Sequence, residues 1–284
     1  MQPLGDRRMY LPRVEAPRWV VFADFDETYL AHDGAPERRR DRRALEQFLI
    51  EEARARGIVF GWVADGPVDA VSESVAAHGL RVLPHFLASS RGAEIELFSR
   101  EGGRRPWPEW EARLAAGGLF SRARVLAAVS DVERRGLKLE RREHGRRLER
   151  YRFEPARASR IHEALGWIRQ AADRHGVAAH AAPCHPALGD PEGAYDIDFI
   201  PRGAGKKQVV EFVLERLGLP RSRAVSFGDD VGDLEMLNAV EHGYLVDNAT
   251  DEARRRFSRT AGASYARGIL DVMERRIERP AAFA

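Results

Sequence analysis

Apolar runs of five or six residues recur along the chain, separated by longer stretches of helical periodicity. Trp19-Val20-Val21-Phe22-Ala23 and Ile58-Val59-Phe60-Gly61-Trp62-Val63 are uninterrupted, as expected of strands covered on both faces of a sheet. Between them, Pro36 to Arg56 places Leu45, Phe48 and Leu49 on one face and runs into Gly57, which predicts a charged amphipathic helix closed by a glycine. A third short strand is predicted at Phe86-Leu87-Ala88. From Lys206 the alternation resumes, with a helix over Lys207–Leu217, a strand over Ala224–Phe227, a helix over Asp233–Val240 and a strand over Tyr244–Val246. Strands alternating with helices predict a parallel α/β sheet.

The middle of the chain has a different character. From Ser99 to Ile200 come loops rich in Gly, Pro and Trp, an arginine-heavy segment from Arg134 to Arg150, and an amphipathic helix over about Ala158 to His175. Strands are predicted at Arg150–Phe153, Val177–Ala181 and Tyr195–Ile200. This reads as an α+β domain, residues 99–200, inserted into an α/β core made of residues 1–98 and 201–284.

Composition narrows the classes. At 284 residues and 44% apolar, the chain has material for two cores. No apolar stretch approaches bilayer length, and the amino terminus lacks a signal-like apolar segment, so no membrane association is expected. Cys184 is the sole cysteine, which fits a reducing cytoplasm. A formal net charge of +2 does not argue for a nucleic-acid binder. Lysine occurs only at positions 138, 206 and 207 in an otherwise arginine-based chain, so each lysine calls for an explanation.

Three segments carry chemistry. Asp24-Phe25-Asp26-Glu27-Thr28 follows the first strand at its carboxyl end, where open α/β sheets bind ligands. In extended backbone Asp24 and Asp26 project to the same side, so one can attack phosphorus while the other hands a proton to the leaving oxygen. Gly228-Asp229-Asp230-Val231-Gly232-Asp233 gathers carboxylates on a turn, an oxygen donor set suited to Mg2+. Gly203-Ala204-Gly205-Lys206 places an ammonium on a small-residue turn at a helix start. A phosphate dianion beside ionised Asp24 and Asp229 becomes tenable with a divalent cation and Lys206 nearby, so the three segments account for one another.

The set Asp24-x-Asp26-x-Thr28, Lys206 and Gly228-Asp229-x-x-x-Asp233 resembles the haloacid dehalogenase superfamily of phosphatases. The long insert resembles the branch with a large α/β cap, which includes Cof-type sugar phosphatases and sucrose-phosphate phosphatase. Phe22 to Tyr29, Asp190-Pro191 and Tyr195 to Pro201 look most like the kanosamine-6-phosphate phosphatase group. The resemblance, over about residues 18–275, implies a Rossmann-like core with an inserted cap. It implies Asp24 as nucleophile, Asp26 as acid/base, Thr28 as part of the same motif and Lys206 as clamp for phosphate and nucleophile. Asp24, Asp229 and the Asp26 backbone carbonyl would hold Mg2+, Asp233 would orient its water shell or Lys206, and Asn248 would lie near the phosphate. A Mg2+-dependent phosphatase of a small phosphorylated sugar or aminosugar is expected. A silent relative that binds phosphosugar or a partner, and a phosphosugar mutase, are the alternatives.

Three positions depart from the family pattern. Val63-Ala64-Asp65-Gly66 offers Ala64 where a phosphate-binding hydroxyl is expected, with Asp65, Asp230 or water as substitutes. Gly232 stands where the family prefers Asn, and Arg91 where relatives often carry Asn or a small residue. Arg91 and, separately, the loop Cys184–Tyr195 with His185 and Asp190 are candidates for substrate contact, with Asp190 and Glu192 as partners for an amine. Glu37 to Arg43 reads as a solvated helix face, Arg141 to Arg147 as a polar hairpin of the insert with gathering of phosphorylated substrate as the alternative, Cys184 as a surface-loop or specificity residue, and Trp107 and Trp110 as core of the insert rather than a sugar-stacking platform.

Overall fold

The computed structural model of the protein describes residues 9–100, 103–155, 160–184 and 191–278. The chain forms two compact units, Met1–Trp107 with Lys206–Ala284, and Pro108–Gly205.

The first unit contains strands β1 (Met9–Tyr10), β2 (Trp19–Asp24), β3 (Ile58–Val63), β4 (Val82–Leu83), β5 (Phe86–Ser89), β6 (Glu94–Ser99) and β7 (Gly103–Pro106). Helices α1 (Pro36–Arg56) and α2 (Val68–Ala77) lie between them in sequence. The second unit contributes α3 (Pro108–Ala116), α4 (Arg122–Glu133), β8 (Leu139–His144), β9 (Glu149–Phe153), α5 (Ile161–Arg174), β10 (Val177–Pro183) and β11 (Tyr195–Pro201). The chain then returns to the first unit with α6 (Lys206–Leu217), β12 (Ala224–Gly228), α7 (Leu234–Ala239), β13 (His242–Leu245), α8 (Asp251–Arg256) and α9 (Tyr265–Arg276).

The main sheet has seven strands in the order β13-β12-β2-β3-β5-β6-β7. From β13 to β5 every pairing is parallel, while β6 and β7 add an antiparallel edge. The predicted sheet is therefore present, and its edge extends to Pro106, beyond the anticipated boundary at residue 98. Gly103-Arg104-Arg105-Pro106 has no apolar pattern of its own; its pairing with β6 makes it a strand.

Both faces of β2 are covered, which explains its unbroken apolar run. Val21 and Ala23 join Leu45 and Leu49 of α1 and Ile269 and Met273 of α9 in one core. On the other face Phe22 meets Phe86 at 5.7 Å, Phe86 meets Trp107 at 6.4 Å, and Trp107 meets Phe212 of α6 at 5.1 Å between ring centroids. Trp107 thus belongs to the core of the first unit, whereas Trp110 is fully buried in the second. On α1 the predicted solvated face is interrupted by Arg42, which is buried and donates to the His78 carbonyl at 3.1 Å.

The second unit is a four-stranded antiparallel sheet, β10-β11-β9-β8. Ile197, Phe199, Tyr151 and Phe153 pack on α4 and α5 in a separate core. The arginines of the β8–β9 hairpin are tied to carboxylates: Arg147 to Glu111 at 2.7 Å, Arg141 to Glu149 at 3.0 Å. Cys184, expected at the surface, is buried. Among the described residues, no helix is long and apolar enough to cross a membrane.

Candidate active site

The sheet register brings three strand ends level. Ala23 of β2 lies opposite Trp62 of β3 and Phe227 of β12, so Asp24, Asp65 and Asp229 emerge side by side at the carboxyl edge. Lys206, at the start of α6, reaches the same edge. Its Nζ donates to Asp24 Oδ1 at 2.6 Å and to Asp233 Oδ1 at 2.8 Å, and lies 2.9 Å from Asp65 Oδ1. Residues 24, 65, 206 and 233 therefore share one cluster, and Asp229 joins it: Asp24, Asp229 and Asp233 each present an oxygen within 4.8 Å of the others.

Local backbone places each group. After Asp24 the chain leaves the strand in a tight loop, with Tyr29 N donating to Asp24 O and Leu30 N to Phe25 O. Phe25, fully buried, packs against Trp62 at 5.0 Å and points away from the cluster's polar groups. This loop parts the two acids. Asp24 is buried, whereas the Asp26 side chain is half exposed and accepts from His32 Nε2 at 2.7 Å. Thr28 is fully buried and donates to Asp229 Oδ1 at 2.7 Å, so its hydroxyl aims a carboxylate.

On the acidic turn, Asp233 Oδ2 accepts from the backbone N–H groups of Asp229 and Asp230 at 3.0 and 3.2 Å. The turn can close this tightly because residue 228 is glycine: a Cβ there would lie 2.3 Å from the Asp233 Cβ. Asp233 thus bonds the turn with one oxygen and Lys206 with the other.

Position 64 requires a correction. Ala64 is fully buried, with its N–H bonded to the Ala88 carbonyl and its own carbonyl accepting from Arg91 N–H. The pairing of β3 with the β5 edge continues one residue past the apolar run, and the side chain delivered to Lys206 is that of Asp65. Asp65 also holds Arg91, whose Nη2 lies 3.1 Å from its Oδ2. Asn248 spans two segments: its Nδ2 donates to the Glu27 carbonyl at 2.6 Å and its Oδ1 accepts from Tyr265 N–H at 3.0 Å. His185 and Asp190 lie outside the described residues. Sequence spacing gave no signal for the His32 contact to Asp26 or the Tyr265 hydroxyl's bond to Glu27, which spans 238 positions.

The electrostatics follow from burial. Desolvation, with Asp233 next, pushes the Asp24 carboxyl well above the usual carboxylate range, against the opposing pull of Lys206. Burial and then Asp233 push Asp229 up to about 8, with the Thr28 hydrogen bond working the other way. For Lys206 burial favours loss of the proton, but Asp233, Asp24 and Asp65 outweigh it and hold the ammonium well above its ordinary value. Carboxylates thus outnumber the protein cations in the cluster, and ionising all of them would leave a surplus of negative charge that the protein itself does not offset. A buried donor set made of carboxylate oxygens with such a surplus fits a hard divalent cation such as Mg2+.

A parallel sheet with two carboxylates and an ammonium at its carboxyl edge, and an acidic glycine turn on the neighbouring strand, defines a hydrolase class. The chain belongs to the haloacid dehalogenase-like hydrolases, whose family model matches residues 190–273. It is 32% identical over 271 residues to the kanosamine-6-phosphate phosphatase of Bacillus subtilis, covering 94% of this chain and 95% of that one. The crystal structure of a haloacid dehalogenase-like hydrolase from Bacillus subtilis superposes with a TM-score of 0.75 at 30% identity, covering 95% of each chain. The sucrose-phosphatase of Synechocystis, solved with sucrose and phosphate, shares the fold, with a TM-score of 0.68 at 17% identity over 91% of this chain and 98% of that one.

Proposed function

We propose that the protein is a Mg2+-dependent phosphatase of a small phosphorylated sugar or aminosugar, working through an aspartyl-phosphate. The observation that carries this reading is the Lys206 ammonium bonded to Asp24 at 2.6 Å, at the end of the central strand and beside Asp229 and Asp233. The likeness to kanosamine-6-phosphate phosphatase over nearly the whole chain supports the substrate class.

In the first stage an Asp24 carboxylate oxygen attacks phosphorus and the bond from phosphorus to the sugar oxygen breaks. Asp26 gives its proton to the departing oxygen. In the second stage Asp26 takes a proton from water, the resulting oxygen nucleophile attacks phosphorus, and the bond from phosphorus to Asp24 breaks, releasing inorganic phosphate. Asp24 is suited to the covalent role because it is buried and fixed by Lys206; Asp26 is suited to proton transfer because it stands half in solvent. Asp24, Asp229 and the Asp26 carbonyl would hold the metal, with Asp233 fixing the turn and Lys206. A bound Mg2+ supplies positive charge that offsets the carboxylates and the phosphoryl oxygens. The inserted unit, residues 108–205, is assigned the selection of the sugar.

A phosphate-release screen over sugar and aminosugar phosphates with Mg2+ tests the proposal. Wild-type protein is expected to release phosphate and Asp24→Asn to lose at least about a thousandfold in rate, about 4 kcal/mol of barrier. Equal release by both proteins would reject Asp24 as the nucleophile.

A further inference from the structure

Two of the sequence departures, Arg91 and Gly232, meet Asp65 at one point in the first unit. Asp65 and Arg91 form an ion pair at 3.1 Å, and a Cβ on Gly232 would lie 3.1 Å from the same Arg91 Nη2 and 4.0 Å from Asp65 Oδ2. The tip of Arg91 therefore rests over the residue of the acidic turn that lacks a side chain. Through Asp65, whose other oxygen is 2.9 Å from Lys206 Nζ, the guanidinium stands one carboxylate's width from the ammonium that holds Asp24.

The backbone is shaped to put it there. Ser90 and Arg91 both adopt left-handed conformations, with φ of 53°, a geometry that costs a non-glycine residue free energy and persists where its surroundings enforce it. The turn is stitched to the end of β3 by Ser90 N–H to the Gly66 carbonyl at 2.7 Å and Arg91 N–H to the Ala64 carbonyl at 3.1 Å. Arg91 is buried. Removing a guanidinium from water is unfavourable unless it is paired, so a buried arginine at a ligand site implies anionic partners.

The chemistry of Asp65 determines which group can bind phosphate. An ionised carboxylate accepts hydrogen bonds and donates none, so Asp65 cannot do for a phosphoryl oxygen what a hydroxyl does. A guanidinium offers five donors in a planar fork that matches phosphate geometry. We propose that Arg91, steadied by Asp65 and given room by Gly232, is the phosphate-binding cation that takes the place of a hydroxyl donor in this site. Arg91 contacts the phosphoryl oxygens, Asp65 is a positioning residue that ties Arg91 to Lys206, and the pair adds no net charge to the cluster. This rests on the phosphatase reading above.

The test uses the full chain with Mg2+, an aryl phosphate as substrate and inorganic phosphate as competitive inhibitor. Arg91→Gln is expected to raise both KM and the phosphate inhibition constant by about ten- to hundredfold, the loss of a hydrogen bond to a charged group. Arg91→Lys should recover part of that loss. Asp65→Asn should change the phosphate inhibition constant in the wild-type background and change it less in Arg91→Gln, the remainder passing through its contact with Lys206. Gly232→Ala removes no charge yet crowds Nη2, and should raise the phosphate constant about threefold or more, which serves if Arg91→Gln does not fold. Normal wild-type turnover with KM and phosphate inhibition within about twofold of wild type in folded Arg91→Gln, or in both Arg91→Lys and Gly232→Ala, would overturn the inference and leave the phosphatase reading standing. Wild-type release no faster than that of Asp24→Asn would remove both.

Discussion

Thr28 Oγ1 donates to Asp229 Oδ1 at 2.7 Å, joining the loop after the central strand to the acidic turn across 201 positions of sequence. A buried hydroxyl with this single charged acceptor sets where the carboxylate points. Thr28→Val keeps the shape and deletes the donor. It should lower affinity for Mg2+ by about ten- to hundredfold, the equivalent of about 1.5–3 kcal/mol, with a smaller effect on kcat at saturating metal. Activity titrated against Mg2+ checks this; an unchanged half-saturation point would show that the bond does not matter to the metal site.

Asp229 makes the stability of the metal-free protein depend on pH. Burial and Asp233 raise its pKa to about 8, so the folded state holds this proton more tightly than the unfolded chain does. Stability is therefore lost as pH rises from the ordinary carboxylate range through about 8. In EDTA near pH 9, Asp229→Asn should melt several degrees higher than wild type, at roughly 2–4 °C per kcal/mol of relieved repulsion. The same variant should lose the rise in Tm that Mg2+ gives wild type. Thermal melts with and without metal provide the comparison.

Lys206 lies against three carboxylates, Asp24, Asp65 and Asp233. Lys206→Met fills the same space without the charge. Turnover should fall by about 10²–10³ or more, as for the loss of one fixed electrostatic donor, and the metal-free protein should be less stable by about 3–5 kcal/mol. Denaturant titration and single-turnover kinetics measure the two effects separately.

His85 provides a pH response away from the site. Its Nδ1 accepts from Phe60 N–H at 3.0 Å and its Nε2 donates to the Pro12 carbonyl at 3.1 Å, the pattern of a neutral ring. Burial lowers its pKa below 6.5, against the opposing pull of the Pro12 carbonyl. The folded protein thus binds fewer protons than the unfolded chain just below pH 6.5, and its stability falls as pH drops through that value toward the lowered pKa. The contribution is up to about 1.4 kcal/mol per pH unit. His85→Gln should be less stable at neutral pH but show a shallower decline toward pH 5 in denaturant titrations.

The parallel sheet was legible because strands buried on both faces need unbroken apolar runs, and Trp19 to Ala23 and Ile58 to Val63 supply them. Asp24, Lys206, Asp229 and Asp233 were legible as separate motifs, since each sits at a strand end or helix start marked by glycine or apolar punctuation. The register at positions 64 and 65 was not. Ala64 lengthens the β3 edge through backbone bonds to Ala88 and Arg91, and nothing in a run of small residues reveals which carbonyls they will find. Strand β7 was missed for the same reason, and Trp107 was assigned to the wrong core because its neighbours Phe86 and Phe212 are distant in sequence. The pairing of Arg91 with Asp65 depends on two left-handed residues that no composition rule foretells.

The inserted unit starts at Pro108 and ends at Gly205, so the core resumes with Lys206 itself. The ring of Trp107, just before the departure, touches Phe212, one and a half turns into the helix that Lys206 begins. The excursion thus leaves and rejoins the core through neighbouring doorways. A detour anchored this way is exchangeable cargo: a different module can be spliced between the same two posts while the ammonium, held within the core, keeps its place.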